Sequence, residues 1–260
     1  MYEFNYHQPT SLDDVASLLG ANEEAKIVAG GMTLVPTLKF RLAKPSDLID
    51  LAKIPSLRGT TDAGDALVIG AMTRHAEVER SPLVKQAIPA LAALAHMIGD
   101  PAVRNRGTIS NNDPAADYPA ALVGLGGRVQ TTKREIEADN FFTGIFETAL
   151  DRTEIVTAVR LRKPQAACYM KFKNPASRYA IVGVFVARTP LGVRVAVTGA
   201  GPCVFRVSEM EAALARSFTP DAIKDITIPQ EGLNSDIHAG AEYRAHLVGV
   251  MARRAVAGCG

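Results

Sequence analysis

A chain of 260 residues, 47% hydrophobic and 22% charged, has enough material for one large or two to three small cores and falls outside the disordered and fibrous classes. Its 29 basic and 27 acidic side chains leave a formal charge of +2, spread along the chain, which excludes a nucleic-acid footprint and a polybasic membrane patch. The absence of an apolar run of spanning length and of a charged-then-apolar leader leads to the expectation of a soluble, cytoplasmic protein without a membrane span.

Tyr2 to His7 alternates as a strand. Ser11 then caps an amphipathic helix whose apolar face is Leu12, Val15, Leu18 and Leu19, with Asp14 three residues after the cap in a capping arrangement. Ala25 to Ala29 is the next strand, Leu34 to Leu42 a helix, and Asp47 to Leu51 a third strand. This β-α-β-α-β order describes a small α/β unit. Strands follow at Ala66 to Gly70, Val129 to Thr132, Glu135 to Ala138 and Ile155 to Leu161, with helices at Thr73 to Glu79 and Pro89 to Met97. Asp113 as N-cap and Pro114 at the first helical position predict a further helix opening there. Beyond the polar break at Lys163-Pro164-Gln165, strands at Cys168 to Lys173, Ile181 to Arg188 and Val193 to Gly199 predict an antiparallel meander. Helices at Val207 to Ala215, after Pro220 and at Ala239 to Ala257 complete the chain.

Two segments carry chemistry. In Ile27-Val28-Ala29-Gly30-Gly31-Met32-Thr33-Leu34 a strand runs through paired glycines into a helix start, so backbone amides and a positive dipole end can approach a diphosphate closely. A plain strand-to-helix turn explains the same residues. The second segment, Gly99 to Pro119, packs glycine, small hydroxyls, Asn and Asp around a helix start, offering donors and a carboxylate for sugar hydroxyls; ordinary Asx turns use the same residues. Cys168, Cys203 and Cys259 are too few and too far apart for a cluster, a zinc site or a disulfide framework. His75 and His96 lack spaced partners and read as satisfied surface or partly buried histidines. No metal site and no catalytic residue are assigned, and redox chemistry would need a bound organic cofactor.

Ala29-Gly30-Gly31-Met32-Thr33-Leu34, Ile69-Gly70-Ala71-Met72-Thr73, Gly99 to Ile109, Asp113-Pro114-Ala115-Ala116-Asp117, Lys171 to Ala180 and Ala241 to Leu247 together resemble the FAD-binding medium subunit of molybdenum hydroxylases, the flavoproteins of the aerobic carbon monoxide dehydrogenase and xanthine dehydrogenase type. The resemblance spans nearly the whole chain. It implies an α+β fold: an FAD-binding region of two α/β subdomains (PCMH/vanillyl-alcohol-oxidase-like) at 1–57 and 58–164, then a C-terminal domain at 165–260 with a three-stranded antiparallel sheet and helices. It also implies FAD as cofactor. Ala29, Gly30, Gly31, Met32 and Thr33 would wrap the pyrophosphate, and Thr108 and Ile109 would form the second phosphate loop. Asp117 would fix the ribityl or ribose part and Ile98 would line the slot. Leu150 and Ile155 would pack on the flavin ring, with Lys171 near the ring carbonyls.

The implied function is an oxidoreductase subunit that passes electrons from the iron–sulfur clusters of a small subunit through FAD to an external acceptor, with a molybdenum cofactor on a large subunit and a dimer of heterotrimers as the assembly. One departure stands out. The family reads Thr-Ile-Gly-Gly before the Asp-Pro helix, whereas here Ile109 runs straight into Ser110-Asn111-Asn112-Asp113, about four residues short and without the glycines that permit close phosphate approach. Rebuilding that loop with Ser110 and Asn112 as donors keeps FAD binding, weakened. The alternative is a cofactor-depleted structural subunit of the same kind of complex.

Overall fold

The computed structural model describes residues 1–106, 113 and 115–259, with the side chain at 106 left aside. The first unit runs β1 (Asn5–His7), α1 (Leu12–Ala21), β2 (Lys26–Val28), α2 (Leu34–Lys39) and β3 (Asp47–Asp50). Its sheet is parallel in the order β1-β3-β2, with Tyr6 opposite Leu48 and Ile27 opposite Ile49. Ser11 caps α1 as expected: its Oγ accepts from the Asp14 amide at 3.1 Å and donates to the Asp14 carboxylate at 2.7 Å. Val15 and Leu19 on the inner face of α1 pack with Ile49, Leu51, Ile54 and Leu57. The same cluster takes in Met72 and Ile155, which belong to the next unit, so the first two units share one apolar seam. Helix α2 stops at Lys39 rather than Leu42 because Arg41 takes a left-handed φ of 58°, a conformation that ends a helix.

The second unit contains β4 (Thr60–Asp62), β5 (Ala66–Gly70), α3 (His75–Arg80), α4 (Pro82–Ala87), α5 (Pro89–His96), α6 (Pro101–Arg106), α7 (Tyr118–Gly124), β6 (Arg128–Thr131), β7 (Glu135–Glu137), β8 (Phe142–Gly144), β9 (Glu147–Thr148) and β10 (Val156–Arg162). Its five-stranded sheet has the order β4-β5-β10-β6-β7, antiparallel throughout. β8 and β9 form a separate two-stranded hairpin. The expected helix opening at Asp113 is corrected. Asp113 instead closes a turn, its Oδ1 accepting from the Ala115 amide at 2.9 Å, and α7 begins at Tyr118 with Asp117 as its N-cap residue. An aspartate two residues before an amide makes an Asx turn as readily as a helix cap, and here the turn wins. α6 occupies a stretch that reads in sequence as connection.

The third unit is β11 (Ala166–Lys173), β12 (Ala180–Thr189), β13 (Gly192–Thr198), β14 (Phe205–Arg206), α8 (Ser208–Arg216) and α9 (Ala241–Ala257). The meander is antiparallel in the order β11-β12-β13-β14. It has one strand more than the three expected: two-residue β14 is too short to leave a periodic signal. Alternation gives the sheet two buried faces. Val182, Val184 and Val186 pack with Val248, Met251 and Ala255 of α9, while Tyr169, Phe185, Ala187 and Ala196 join the core of the second unit. α7 lies close against that second face at Gly124, where an added Cβ would stand 2.7 Å from the Phe185 ring.

Candidate functional site

Ala29 to Thr33 form the turn between β2 and α2. Gly31 has φ +72°, and a Cβ there would stand 3.0 Å from Val35 Cγ2. A left-handed residue at this point suits glycine alone without strain. The helix is anchored to the turn by the Val35 amide, which donates to Gly31 O at 3.0 Å, and the Thr37 amide, which donates to Thr33 O at 3.2 Å.

The turn forms one rim of a cleft of about 370 Å³, within the size range of small-molecule sites, ~300–1,000 Å³. The opposite wall brings together Ile98 beyond α5, Asp117 and Tyr118 at the start of α7, and Leu150, Glu154 and Ile155 before β10; Met72, His75 and Tyr179 also line it. The Leu150 to Ile155 stretch is clamped from behind. Glu154 is buried and accepts from Arg134 Nε and Nη2 at 3.0 Å each, from Thr131 Oγ1 at 2.7 Å and from the Asp151 amide at 3.0 Å. The Arg134 guanidinium holds the Glu154 carboxyl far below its ordinary value, at about 2. Arg134 Nη2 also donates to Ala149 O at 2.7 Å. A β-bulge at Val156–Ala158 turns the chain next to the cleft, as bulges commonly do beside sites.

Asp117 is the second buried acid of the cleft, 7% exposed. Tyr169 Oη donates to its Oδ1 at 2.5 Å and Lys171 Nζ to its Oδ2 at 2.8 Å; Lys171 Nζ also donates to Met97 O at 3.1 Å. Burial pushes the Asp117 carboxyl upward, against the opposing pull of Lys171 and Tyr169. Nearby, the His75 and Tyr118 rings lie 4.5 Å apart. Among the described residues His75 Nδ1 and Tyr118 Oη, both buried, find no hydrogen-bond partner, and burial lowers the His75 imidazole to about 4 and raises the Tyr118 phenol. His75 is thus buried rather than at the surface or partly buried.

Of the residues singled out in the sequence, Ala29, Gly30, Gly31, Met32, Thr33, Ile98, Asp117, Leu150 and Ile155 all line this one cleft. Lys171 does not line it: its ammonium is turned to Asp117 and Met97. Thr108, Ile109, Ser110 and Asn112, and with them the shortened loop, lie outside the described residues. His75, Tyr118, Glu154 and Tyr169 were missed. Alternation along β11 places Tyr169 and Lys171 on one face, a signal present in the sequence; nothing local marks the other three. Among the described residues no group of three or more His, Cys, Asp or Glu side chains is placed to hold a metal, and no helix is long and apolar enough to cross a membrane.

The donor set fits a flavin dinucleotide: a tight glycine turn for phosphates, a buried acid for hydroxyls, aliphatic walls for a ring, and two buried polar atoms with no partner among the described residues. Residues 2–164 match the family described as FAD binding domain in molybdopterin dehydrogenase. The chain belongs to that family. Its cofactor is FAD, and its class is oxidoreductase. The nicotine 6-hydroxylase medium subunit of Paenarthrobacter nicotinovorans is 35% identical, over 98% of this chain and 96% of its own length. The carbon monoxide dehydrogenase medium chain of Hydrogenophaga pseudoflava is 34% identical, over 97% and 96%. The reconstituted CO dehydrogenase from Oligotropha carboxidovorans superposes with a TM-score of 0.91 at 31% identity, covering 99% of this chain and 97% of that one. The CO dehydrogenase structure shares the α+β architecture of this molybdopterin-dehydrogenase flavoprotein, and the names medium subunit and medium chain mark the two sequence relatives as components of larger complexes.

Proposed function

We propose that this chain is the FAD-carrying electron-transfer subunit of a molybdenum-containing hydroxylase or dehydrogenase in the cytoplasm. It takes electrons from iron–sulfur clusters on a small partner and passes them to an external acceptor, while a large partner with the molybdenum cofactor oxidises the substrate. A dimer of heterotrimers is the assembly this division of labour suggests. The observation that supports the reading best is the convergence of the Ala29–Thr33 turn and the buried Asp117 carboxylate on a single cleft.

FAD, when bound, supplies reversible one- and two-electron chemistry that no side chain of the chain provides. The chain's own part is to bind and orient. The amides of Ala29 to Thr33 would face the diphosphate, with Thr108, Ile109, Ser110 and Asn112 as the second set of phosphate contacts. Asp117 would accept from ribityl or ribose hydroxyls. Ile98, Leu150 and Ile155 would exclude water from the ring. A subunit that kept the fold without its cofactor is less well supported, because the left-handed Gly31 turn and the buried Asp117 carboxylate then have no common purpose.

An absorption spectrum of the purified chain, before and after incubation with FAD, tests the cofactor assignment; no flavin bands in either sample would refute it. Replacing Gly30 by a bulky residue is expected to abolish flavin retention. Co-purification of subunits containing clusters and molybdenum tests the electron route.

A further inference from the structure

Asp117 lines the cleft, yet the groups that hold it come from the third unit, 52 and 54 residues away in sequence. Tyr169 and Lys171 are two apart on β11 and so share a face. That face meets the start of α7. Lys171 pairs in register with Gly183 on β12, and a Cβ at Gly183 would stand 2.2 Å from the Tyr169 hydroxyl, so the glycine leaves the space the phenol occupies. The Lys171 side chain is 3% exposed, and its ammonium is committed to Asp117 and the Met97 carbonyl.

We propose that Lys171 and Tyr169 are positioning residues that keep Asp117 ionised and aimed as an acceptor into the cleft, making FAD retention depend on the C-terminal sheet. The inference rests on the cofactor reading above. A carboxylate oxygen accepts two hydrogen bonds. Each Asp117 oxygen therefore keeps capacity for a sugar or ribityl hydroxyl after accepting from β11. Without the ammonium, a carboxylate this deeply buried takes up a proton, and it then presents a donor where the ligand also presents one. Lys171 and Tyr169 face the group from β11. Asp113 acts on it repulsively from the preceding turn, and the Tyr118 and Tyr179 phenols feel its charge. Lys171 also fixes the Met97 carbonyl one residue before Ile98, tying a second part of the wall to the same strand.

The test is FAD affinity of the full chain, read by flavin fluorescence and by flavin-to-protein ratio from about pH 6 to about pH 9, below the ordinary lysine range, with circular dichroism to verify folding. Wild type is expected to bind equally across that range. Lys171→Met is expected to lose affinity by about tenfold per pH unit below the raised carboxyl pKa and to regain it as the pH climbs. Tyr169→Phe should shift the same way by less, Lys171→Arg should restore binding, and Asp117→Asn should bind weakly at every pH. A folded Lys171→Met variant with wild-type affinity throughout, or with a loss that does not vary with pH, would overturn the proposal. If Lys171→Met does not fold, Tyr169→Phe decides by the same two criteria. Wild-type chain that takes up no FAD at any pH would instead defeat the cofactor reading, and this inference with it.

Discussion

Arg134 and Glu154 meet end-on in a two-pronged ion pair, Nε to Oε1 and Nη2 to Oε2 both at 3.0 Å, directly behind the segment that presents Leu150 and Ile155 to the cleft. The Glu154 side chain is fully buried while that of Arg134 is 48% exposed. The pair therefore acts less as a surface salt bridge than as a buried acid given its partner from outside. The loop it closes has no regular ladder between Thr148 and Val156, so these bonds set its path.

The depressed Glu154 carboxyl makes that loop sensitive to acid. Its folded pKa, about 2 against an ordinary 4.5, contributes stability in full above the ordinary value, and the contribution is lost as pH falls toward 2. Discounted for the exposed Arg134 end, the effect is about 1–2 kcal/mol. Glu154→Gln should lower the thermal midpoint at neutral pH and flatten the acid limb of the stability curve between about pH 4.5 and about pH 2. A variant whose midpoint tracks wild type through that window would contradict the assignment.

Gly31 offers a conformational test of the turn. A valine there must hold a positive φ and place its Cβ against Val35, at a backbone cost of about 1–2 kcal/mol. Gly31→Val is expected to lower both thermal stability and the flavin-to-protein ratio, with Gly31→Ala intermediate. Equal flavin content in all three proteins would show that the turn does not need its left-handed residue.

Arg244 of α9 ties the C-terminal helix to the sheet. Its Nη1 donates to Ile181 O at 2.7 Å and Gly199 O at 2.9 Å, and its Nη2 to Asp236 Oδ2 at 2.7 Å, with the residue 4% exposed. Arg244→Met keeps the stem's volume but takes the guanidinium donor from the Ile181 carbonyl, leaves Gly199 O with only the Asn234 amide at 3.4 Å, and unpairs Asp236, a loss of about 2–4 kcal/mol. Urea denaturation should show the lower midpoint. An unchanged midpoint would mean that water replaces the guanidinium.

Cys259 should resist alkylation. Burial, with Cys168 beside it, pushes its thiol up to about 12, and only the thiolate attacks. At about pH 8, where an ordinary thiol is partly ionised, iodoacetamide labelling followed by mass spectrometry should find Cys259 modified far more slowly than a small-molecule thiol. Labelling at the free-thiol rate would place the C-terminal turn in solvent.

Much of the fold was legible because its signals are local. The alternation of β5, β6, β7, β10 and the meander, the Ser11 cap, and the β-α-β-α-β order of the first unit each depend on residues within a turn or two of one another. The errors were local as well. Asp113-Pro114 satisfies two helix-start preferences, yet the Asx turn at Ala115 uses the same carboxylate and shifts the helix to Tyr118. Helix α6 was hidden among Asn, Arg and Pro residues that also suit a connection, and β14 was too brief to show a period.

The site divides along the same line. The sequence alone determined the glycine turn after β2, since a missing Cβ and the start of a helix are properties of a few adjacent residues. It also determined that Tyr169 and Lys171 share a face, since side chains along a strand repeat every second position. Only the tertiary structure decided that this face meets Asp117, that Glu154 finds Arg134, and that His75 and Tyr118 come to rest ring against ring in one cleft. Those meetings join residues about 20 to 54 positions apart, and they follow from which apolar faces pack together, a choice made by burial over the whole chain rather than by local backbone preference.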